Sequence, residues 1–326
     1  MPSDLHFHST DSDGKSTNSE RIDEIEKIDP KHLGIWAVTN HDRFSPEFVD
    51  HARERGIHAL YGVEISARSE ELDHSFHITC YTPTISEKIQ WITEGILRGK
   101  TEKVISQIRK LREYWFDIEE QDFFTWVHAH GFRIDGVSNA HIVEYLWEKD
   151  TTLPLLRDLT QGVVARQYDF LHECLKWGGK FSHIGTASTW PYEPEIGELV
   201  RIAADEGAIL SLAHPHFSFR KLLKRKQPWL DEAGMREYAE RYLFPFCIDM
   251  GIRNFEVNSE AHPDWVDTIV KTVGRTGGIL TFGSDNHDPN RHDRDHGLLG
   301  AMNTYIPDTL VEQTYRKFRV LWAHTV

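Results

Sequence analysis

Pairs of histidines separated by one residue are the first feature of this sequence that could do chemistry. Histidine accounts for 20 of the 326 residues, and chance alone places roughly one such pair in a chain of this composition. The pairs present are His6-Phe7-His8, His128-Ala129-His130 and His214-Pro215-His216. Because neutral imidazole is the commonest metal ligand in proteins, the context of each pair decides whether it could hold a metal ion.

The first pair lies on a predicted strand with a carboxylate close behind it. Alternate side chains of a strand share a face, so His6 and His8 point the same way and can hold one ion. Asp13 can reach back to them from the turn that follows. Further imidazole and carboxylate groups stand at or just after predicted strand ends, namely His41, Glu64, His77, His214, Asp285 and His287. The second pair, His128 and His130, is not a candidate metal site, because it stands at the end of an amphipathic helix, just before Gly131.

The segments that carry these groups repeat one pattern: an amphipathic helix, a glycine, a short apolar run and a polar side chain. In residues 45–64 a helix begins at Ser45, Gly56 ends it, and an apolar run leads into Glu64. The same pattern predicts helices over 20–33, 193–206 and 263–273, the last ending near Gly274. Apolar strands that alternate with helices indicate a parallel sheet, and polar groups at strand ends indicate a TIM-type barrel. A doubly wound sheet is disfavoured, because no glycine-rich phosphate loop opens a helix.

The middle of the chain has a different pattern, with apolar residues at helical spacing and few strand-like runs. Val104, Ile108 and Leu111 form one such stripe, and Ile142 and Leu146 belong to another. We therefore predict a small helical domain over residues 85–190, inserted into a barrel built from residues 1–84 and 191–326.

Composition and charge exclude several classes of protein. The 37 Lys and Arg against 51 Asp and Glu give a formal net charge of −14, which argues against a protein that tracks along nucleic acid. There is no long apolar run and no signal sequence at the N-terminus, so we expect a cytoplasmic protein without a membrane partner. The three cysteines, Cys80, Cys174 and Cys247, are far apart and indicate neither a disulfide framework nor a thiolate zinc site.

Six short motifs, taken in order, resemble those of the PHP family, which is named for polymerase and histidinol phosphatase. They are Asp4-Leu5-His6-Phe7-His8-Ser9 with Ser12-Asp13-Gly14, Thr39-Asn40-His41-Asp42, Gly62-Val63-Glu64, His77-Ile78-Thr79-Cys80-Tyr81, Ala213-His214-Pro215 and Gly283-Ser284-Asp285-Asn286-His287. The resemblance covers residues 4 to about 300. It implies a distorted TIM-like (β/α)7 barrel, the PHP fold, with a trinuclear metal centre at the C-terminal mouth.

The resemblance also implies how the ligands divide among three divalent ions. One ion would be held by His6, His8, Glu64 and Asp285, a second by Glu64, His77 and His214, and a third by Asp13, His41 and His287, with Glu64 bridging. Imidazole and carboxylate ligands without thiolate suit Mn, Fe or Zn. Asp4 and Ser284 are predicted to orient these ligands from behind.

The predicted insertion resembles that of PHP phosphoesterases acting on nucleotides. Ser138, Asn139 and His141 resemble a Ser-Arg-x-His element that grips phosphate, and His183 resembles an element just before the return to the barrel. Asn139 replaces the family arginine, which removes a bidentate phosphate donor. Arg220 begins a basic run, residues 220–226, that is either a solvated helix face or a phosphate contact.

The predicted function is therefore that of a metal-dependent phosphoesterase. Its substrate would be a small phosphorylated molecule, a nucleotide such as a 3′,5′-bisphosphate or a short RNA end, attacked by a metal-bridging hydroxide. His216 is a candidate proton donor to the leaving group, and a structural role is its alternative. A metal-dependent amidohydrolase is a second hypothesis, disfavoured because no lysine is placed to bridge two metals. A non-catalytic metal- and nucleotide-binding module is a third. The sequence predicts no oligomeric state.

Overall fold

The computed structural model describes residues 2–176, 178–187, 191–288 and 296–323. The chain divides into two compact units. The first contains Met1–Glu94 and Glu193–Val326, and the second contains Gly95–Tyr192. The borders predicted from the sequence are 84/85 and 190/191, and Trp190 itself lies outside the described residues.

The first unit is mixed α/β and contains all the strands of the described chain. In chain order they are β1 (Asp4–Phe7), β2 (Ile35–Val38), β3 (His58–Ala59), β4 (Tyr61–Ser69), β5 (His74–Thr82), β6 (Ile209–Leu212), β7 (Phe255–Asn258) and β8 (Leu280–Gly283). One sheet has the order β1-β2-β3 and the other the order β4-β5-β6-β7-β8. The ends of β1, β2, β6 and β8 lead into segments that carry several of the predicted ligands.

The expectation of a purely parallel sheet is wrong at β5. β5 pairs antiparallel with both β4 and β6, whereas the other strand pairs are parallel. The physical reason is the connection between β4 and β5, which is only residues 70–73 and closes with Asp73 N donating to Glu70 O at 3.1 Å. A parallel pair needs a crossover of a dozen or more residues.

Hydrogen bonds also join the edges of the two sheets. After β8, Asp285 N donates to His6 O at 2.7 Å, and His8 N donates to Asn286 O at 2.9 Å. After β2, Asp42 N donates to Glu64 O at 2.7 Å. These backbone bonds bring the segment after β1 beside the segment after β8, and the segment after β2 beside β4.

Thirteen α-helices lie within the described residues. They are α1 (Asn18–Ile28), α2 (Pro46–Glu54), α3 (Glu87–Glu113), α4 (Glu120–Ala129), α5 (Asn139–Trp147), α6 (Thr152–Leu159), α7 (Gln167–Phe170), α8 (Ile196–Asp205), α9 (Pro215–Lys226), α10 (Glu232–Tyr238), α11 (Phe244–Asp249), α12 (Pro263–Thr276) and α13 (Asp308–Ala323). Helix ends follow local chemistry. Thr17 and Glu20 form a capping box at the start of α1, and Gly56, with φ of +76°, follows α2 as predicted. α12 ends one turn later than predicted, because Gly277, not Gly274, adopts the left-handed conformation.

Each unit has its own apolar core. In the first unit Phe7, Trp36, Val38 and Phe48 pack together under α1 and α2. In the second unit the buried residues include Phe123, Ile142, Leu146 and Phe170. Within the described ranges, none of the helices combines the length and apolar character needed to cross a lipid bilayer.

Candidate metal centre

The nine predicted ligands come together in the first unit, and we call them the nine-residue cluster. They are His6, His8, Asp13, His41, Glu64, His77, His214, Asp285 and His287. Most follow a strand end as expected. Glu64 and His77 instead lie inside β4 and β5, which form a long antiparallel pair with Tyr61 opposite Thr82 at one end and Ser69 opposite His74 at the other. His214 and Asp285 have positive φ values of +30° and +53°, a strained conformation that is common at functional sites.

Glu64 is the centre of the cluster. Its Oε1 lies 3.0 Å from His77 Nδ1, 3.1 Å from His214 Nε2 and 3.3 Å from His6 Nε2. Its Oε2 lies 2.7 Å from His41 Nδ1. Burial alone would raise the pKa of the Glu64 carboxyl, but His77, His41 and His6 outweigh it and hold that pKa well below its usual range. Glu64 is therefore a fully buried carboxylate that stays ionised.

Asp13 and Asp285 are the other carboxylates of the cluster. Asp285 Oδ1 lies 3.1 Å from His8 Nε2 and 3.4 Å from His6 Nε2. Asp13 Oδ1 lies 3.3 Å from His287 Nε2, and its Oδ2 lies 3.7 Å from His41 Nε2. His6 therefore contacts both Glu64 and Asp285, and His41 contacts both Glu64 and Asp13, so neighbouring carboxylates share an imidazole.

Groups whose ligand atoms lie within 4.8 Å of one another define where an ion could sit. They are His6, His8, Glu64 and Asp285; His8, Asp13, His41 and His287; His41, Glu64 and His77; and Asp285, His287 and His296. The first coincides with the set predicted for one ion. The third pairs Glu64 and His77 with His41, whereas the prediction pairs them with His214. The sequence reasoning missed His296, whose Nε2 lies 3.9 Å from Asp285 Oδ2.

The hydrogen bonding around these atoms fits metal ligation. His6 Nε2, Glu64 Oε2 and His77 Nδ1 are buried and lie close to one another or to His41, yet none of them has a partner with hydrogen-bond geometry, whereas buried polar atoms normally do. The second ring nitrogen of His6 is engaged, since Nδ1 lies 2.7 Å from Glu256 Oε2. His287 Nδ1 lies 2.8 Å from the Asp285 carbonyl oxygen. One nitrogen held from behind and the other facing carboxylates is the arrangement of metal-binding histidines.

Asp4 and Ser284, predicted as orienting groups, bind each other behind β1 and β8. Asp4 Oδ2 accepts from Ser284 Oγ at 2.5 Å, and its Oδ1 accepts from the backbone nitrogens of His6 and Ser284 at 3.0 and 3.1 Å. Burial raises the pKa of Asp4 to about 6, against the lowering effect of these bonds. This carboxylate therefore fixes the backbone at His6 and at Ser284, the residue before Asp285.

Glu256 is an orienting residue that the sequence reasoning missed. It is fully buried in β7 and contacts two cluster residues, because Oε2 lies 2.7 Å from His6 Nδ1 and Oε1 accepts from His214 N at 3.2 Å. A carboxylate inside the apolar strand Phe255–Asn258 is a signal that could have revealed it.

Replacing Glu256 with glutamine is expected to weaken metal binding about 10- to 100-fold, because an outer carboxylate fixes the tautomer and orientation of a ligating imidazole. The measurement is competition with a chromophoric chelator, using Mn and Zn. Glu312→Gln, an exposed substitution on α13, is the control and should bind like the wild type. Equal affinity in Glu256→Gln and wild type would rule out this orienting role.

Metal affinity should also depend on pH. Burial lowers the pKa of His287, but Asp13 outweighs it and raises that pKa to about 9. A metal ion must displace this proton, so apparent affinity should rise from pH 6.5 towards 9, by up to about tenfold per pH unit for each proton displaced. Titration calorimetry at several pH values measures this, and a flat affinity between pH 6.5 and 8.5 would contradict it.

The predicted substrate contacts of the insertion all lie in the second unit, where local bonds engage them. Ser138 caps α5, its N donates to His141 Nδ1 at 3.0 Å, and Asn139 Nδ2 donates to Leu175 O at 3.4 Å. His183 packs edge-on against Tyr114. Their role towards a substrate stays a prediction.

The predicted contacts of the first unit lie on α9, which follows His214. His216 is buried in the first turn, and Arg220 Nη2 donates to Glu232 Oε1 at 2.7 Å. Burial, together with His214 and Arg220, lowers the pKa of His216 to about 3. Its ring is therefore neutral at neutral pH and can both donate and accept a hydrogen bond.

The sequence matches no protein-family model, and no curated protein shows significant similarity to it. Solved structures are similar. One is a putative metal-dependent phosphoesterase from Bifidobacterium adolescentis, with a TM-score of 0.66 and 18% identity over 97% of this chain and 96% of that one. The chain shares its fold. An amidohydrolase from Chromobacterium violaceum, solved with bound sulfate and no metal, has a TM-score of 0.63 and 22% identity over 99% of this chain and 97% of that one.

Proposed function

We propose that this chain is a metal-dependent hydrolase of phosphate esters. The observation that carries the proposal is the nine-residue cluster, in which the buried carboxylate Glu64 is surrounded by imidazoles with ring nitrogens facing it. Taking a carboxylate out of water costs several kcal/mol unless it is paired. A divalent cation would pair with it and would also stabilise the neighbouring carboxylates of Asp13 and Asp285 without requiring the imidazoles to carry protons.

The barrel of the PHP family is part of this proposal. Its support is the backbone bonding at both edges of the two sheets, through the bridges Phe7↔Asn286 and His41↔Glu64. Only Leu60 separates β3 from β4, so the same run of chain borders both sheets. With β3 and β4 taken as one strand, the ring would have seven strands and would place the cluster at its mouth. We further propose that residues 85–190 are an inserted domain.

Three divalent ions, Mn, Fe or Zn, would occupy the cluster. His6, His8, Glu64 and Asp285 would hold one, and Asp13, His41 and His287 another, in keeping with two of the close groups. Glu64, His77 and His214 remain the proposed set for the third. Such ions supply positive charge to the phosphoryl oxygens and lower the pKa of a water that acts as the nucleophile. The chain's own contribution is to fix the imidazoles through Glu256 and Asp4 and to exclude water from Glu64.

The substrate we propose is a small phosphorylated molecule, a nucleotide or a short RNA end. The phosphoesterase named among the structural neighbours and the sulfate bound in the other neighbour support an anionic, tetrahedral ligand. Ser138, Asn139, His141 and His183 stay the proposed phosphate contacts, on their resemblance to a phosphate-gripping element. His216 remains the proposed group that faces the leaving oxygen.

Amide hydrolysis is a second candidate, since one neighbour is named an amidohydrolase. The sequence disfavours it, because no lysine is placed to bridge two metals. Every lysine in the described ranges is exposed or half-buried, so none is placed for this role. This observation favours the phosphoesterase.

The test is hydrolysis by protein loaded with Mn and, separately, with Zn. We expect phosphate release from at least one of a panel of nucleotides and small phosphate monoesters, and no cleavage of a parallel panel of amides and lactones. Amide cleavage without phosphate release would support the second candidate. Tight nucleotide binding with no turnover of either panel would indicate a binding module.

A further inference from the structure

A cavity of about 380 Å³ is lined by α9, α10, the segment after β7 and the start of α12, and its lining includes His216, which lies two residues after the cluster residue His214. We propose that it receives the leaving group of the substrate, and that this group is a neutral, hydroxyl-rich alcohol of the sugar type that carries no second phosphate. This inference rests on the phosphoesterase function proposed above and narrows its substrate to a phosphate monoester, which excludes bisphosphates and RNA ends. The volume of the cavity is in the range of small-molecule binding sites.

His216 connects the cavity with the cluster. It is only 4% exposed, lines the cavity, and its Nδ1 makes no hydrogen bond within the described structure. It follows His214 by two residues on the first turn of α9, and the charged groups that act on it are those of His214, Asp285 and Arg220. Two of these belong to the cluster and one to the cavity. A buried ring nitrogen with no partner needs one, and a ligand hydroxyl or the ester oxygen would supply it.

The charges of the lining argue against a second phosphate. Arg220 Nη2 lies 2.7 Å from Glu232 Oε1, and Arg236 Nη1 lies 2.7 Å from Asp264 Oδ2. Glu260 adds a third carboxylate against these two guanidinium groups. Each arginine is already paired and the lining has a net negative charge, so an anionic group would have to displace a carboxylate.

The same pairs suit hydroxyl groups. A paired guanidinium keeps free N–H donors, and a paired carboxylate keeps free lone pairs. The lining therefore offers both donors and acceptors, together with the buried side chain of Trp265, which offers an apolar face. Vicinal hydroxyls, each both donor and acceptor, match this lining without any change in charge. Sugar rings commonly bind in this way, with hydroxyls on polar groups and C–H faces on an aromatic ring.

The reaction that this geometry serves is hydrolysis of a monoester. A water oxygen forms a new bond to phosphorus, the bond from phosphorus to the sugar oxygen breaks, and a proton from the water ends on that oxygen. The products are inorganic phosphate and the free alcohol, so atoms and charge balance without a further reactant.

The test compares ribose 5-phosphate with p-nitrophenyl phosphate, using metal-loaded wild type, Arg236→Met and Arg220→Met. The readout is kcat/KM for ribose 5-phosphate divided by kcat/KM for p-nitrophenyl phosphate. We expect this ratio to fall about tenfold in each variant, because each loses charge-assisted bonds to the hydroxyls. Arg241→Met is the control, since Arg241 lies on the neighbouring surface and pairs only with Glu237 in the described structure. Its ratio should equal that of wild type.

The outcomes separate this inference from the proposed function. Hydrolysis of both esters with one ratio in all four proteins would overturn the cavity proposal and leave the phosphoesterase intact. A wild-type preference for ribose 1,5-bisphosphate over ribose 5-phosphate would overturn the neutral leaving group. No hydrolysis of any ester by metal-loaded wild type would overturn both. Circular dichroism and metal content of each variant show whether a loss reflects misfolding.

Discussion

Replacement of Glu64 with glutamine should abolish hydrolysis and strip the protein of metal. Glutamine keeps the shape of the side chain but removes the charge that His6, His41, His77 and His214 surround. Metal ions contribute several kcal/mol to stabilising the transition state. Because each 1.36 kcal/mol is tenfold in rate, kcat/KM should fall by at least about 10³-fold.

Elemental analysis of the dialysed Glu64→Gln protein, with phosphate release as the second readout, measures this effect. The matched control is Glu237→Gln, an exposed glutamate that pairs with Arg241. It should keep wild-type metal content and turnover. A folded Glu64→Gln protein with unchanged metal content and rate would show that Glu64 is not a ligand.

Removal of metal by a chelator should lower the melting temperature by several degrees and remove all activity. Without cations, the carboxylates of Glu64, Asp285 and Asp13 are balanced only by imidazoles, which must carry protons to do so. A ligand that binds only the folded state adds about 4 kcal/mol when its concentration is 1,000 times its dissociation constant. For a domain of this size, each kcal/mol corresponds to roughly 2–4 °C.

Differential scanning calorimetry with and without the chelator measures this shift, and added Mn should restore both stability and activity. Glu64→Gln serves as the control, since a protein that binds no metal should show the same melting temperature with and without chelator. An unchanged melting temperature in wild type would mean that the cluster holds no ion that matters to the fold.

The sequence alone locates most of the cluster, because strand and helix periodicity are local properties. His6 and His8 share a face of β1, and His214 and Asp285 follow β6 and β8, as their flanking apolar runs predict. The direction of β5 was missed, although residues 70–73 are too few for a crossover. The prediction of a parallel sheet rested on the apolar content of the strands, whereas the length of the loop before β5 is the better indicator of strand direction.

Contacts across long stretches of chain were harder to predict. Glu256 lies 250 residues from His6. A carboxylate inside an apolar strand marks Glu256 as unusual, but no local pattern identifies His6 as its partner. The pairing of His41 with Glu64 and His77 depends on the bridge between the segment after β2 and β4. Such proximity is decided by how the strands are ordered in space, which residue spacing does not encode.

Anomalous diffraction from crystals grown with Mn tests the central claim most directly. The account predicts anomalous peaks within the nine-residue cluster, one ligated by His6, His8, Glu64 and Asp285 and another by Asp13, His41 and His287. No peak within the cluster at saturating Mn, or ions bound only at other side chains, would contradict the metal centre and the function built on it.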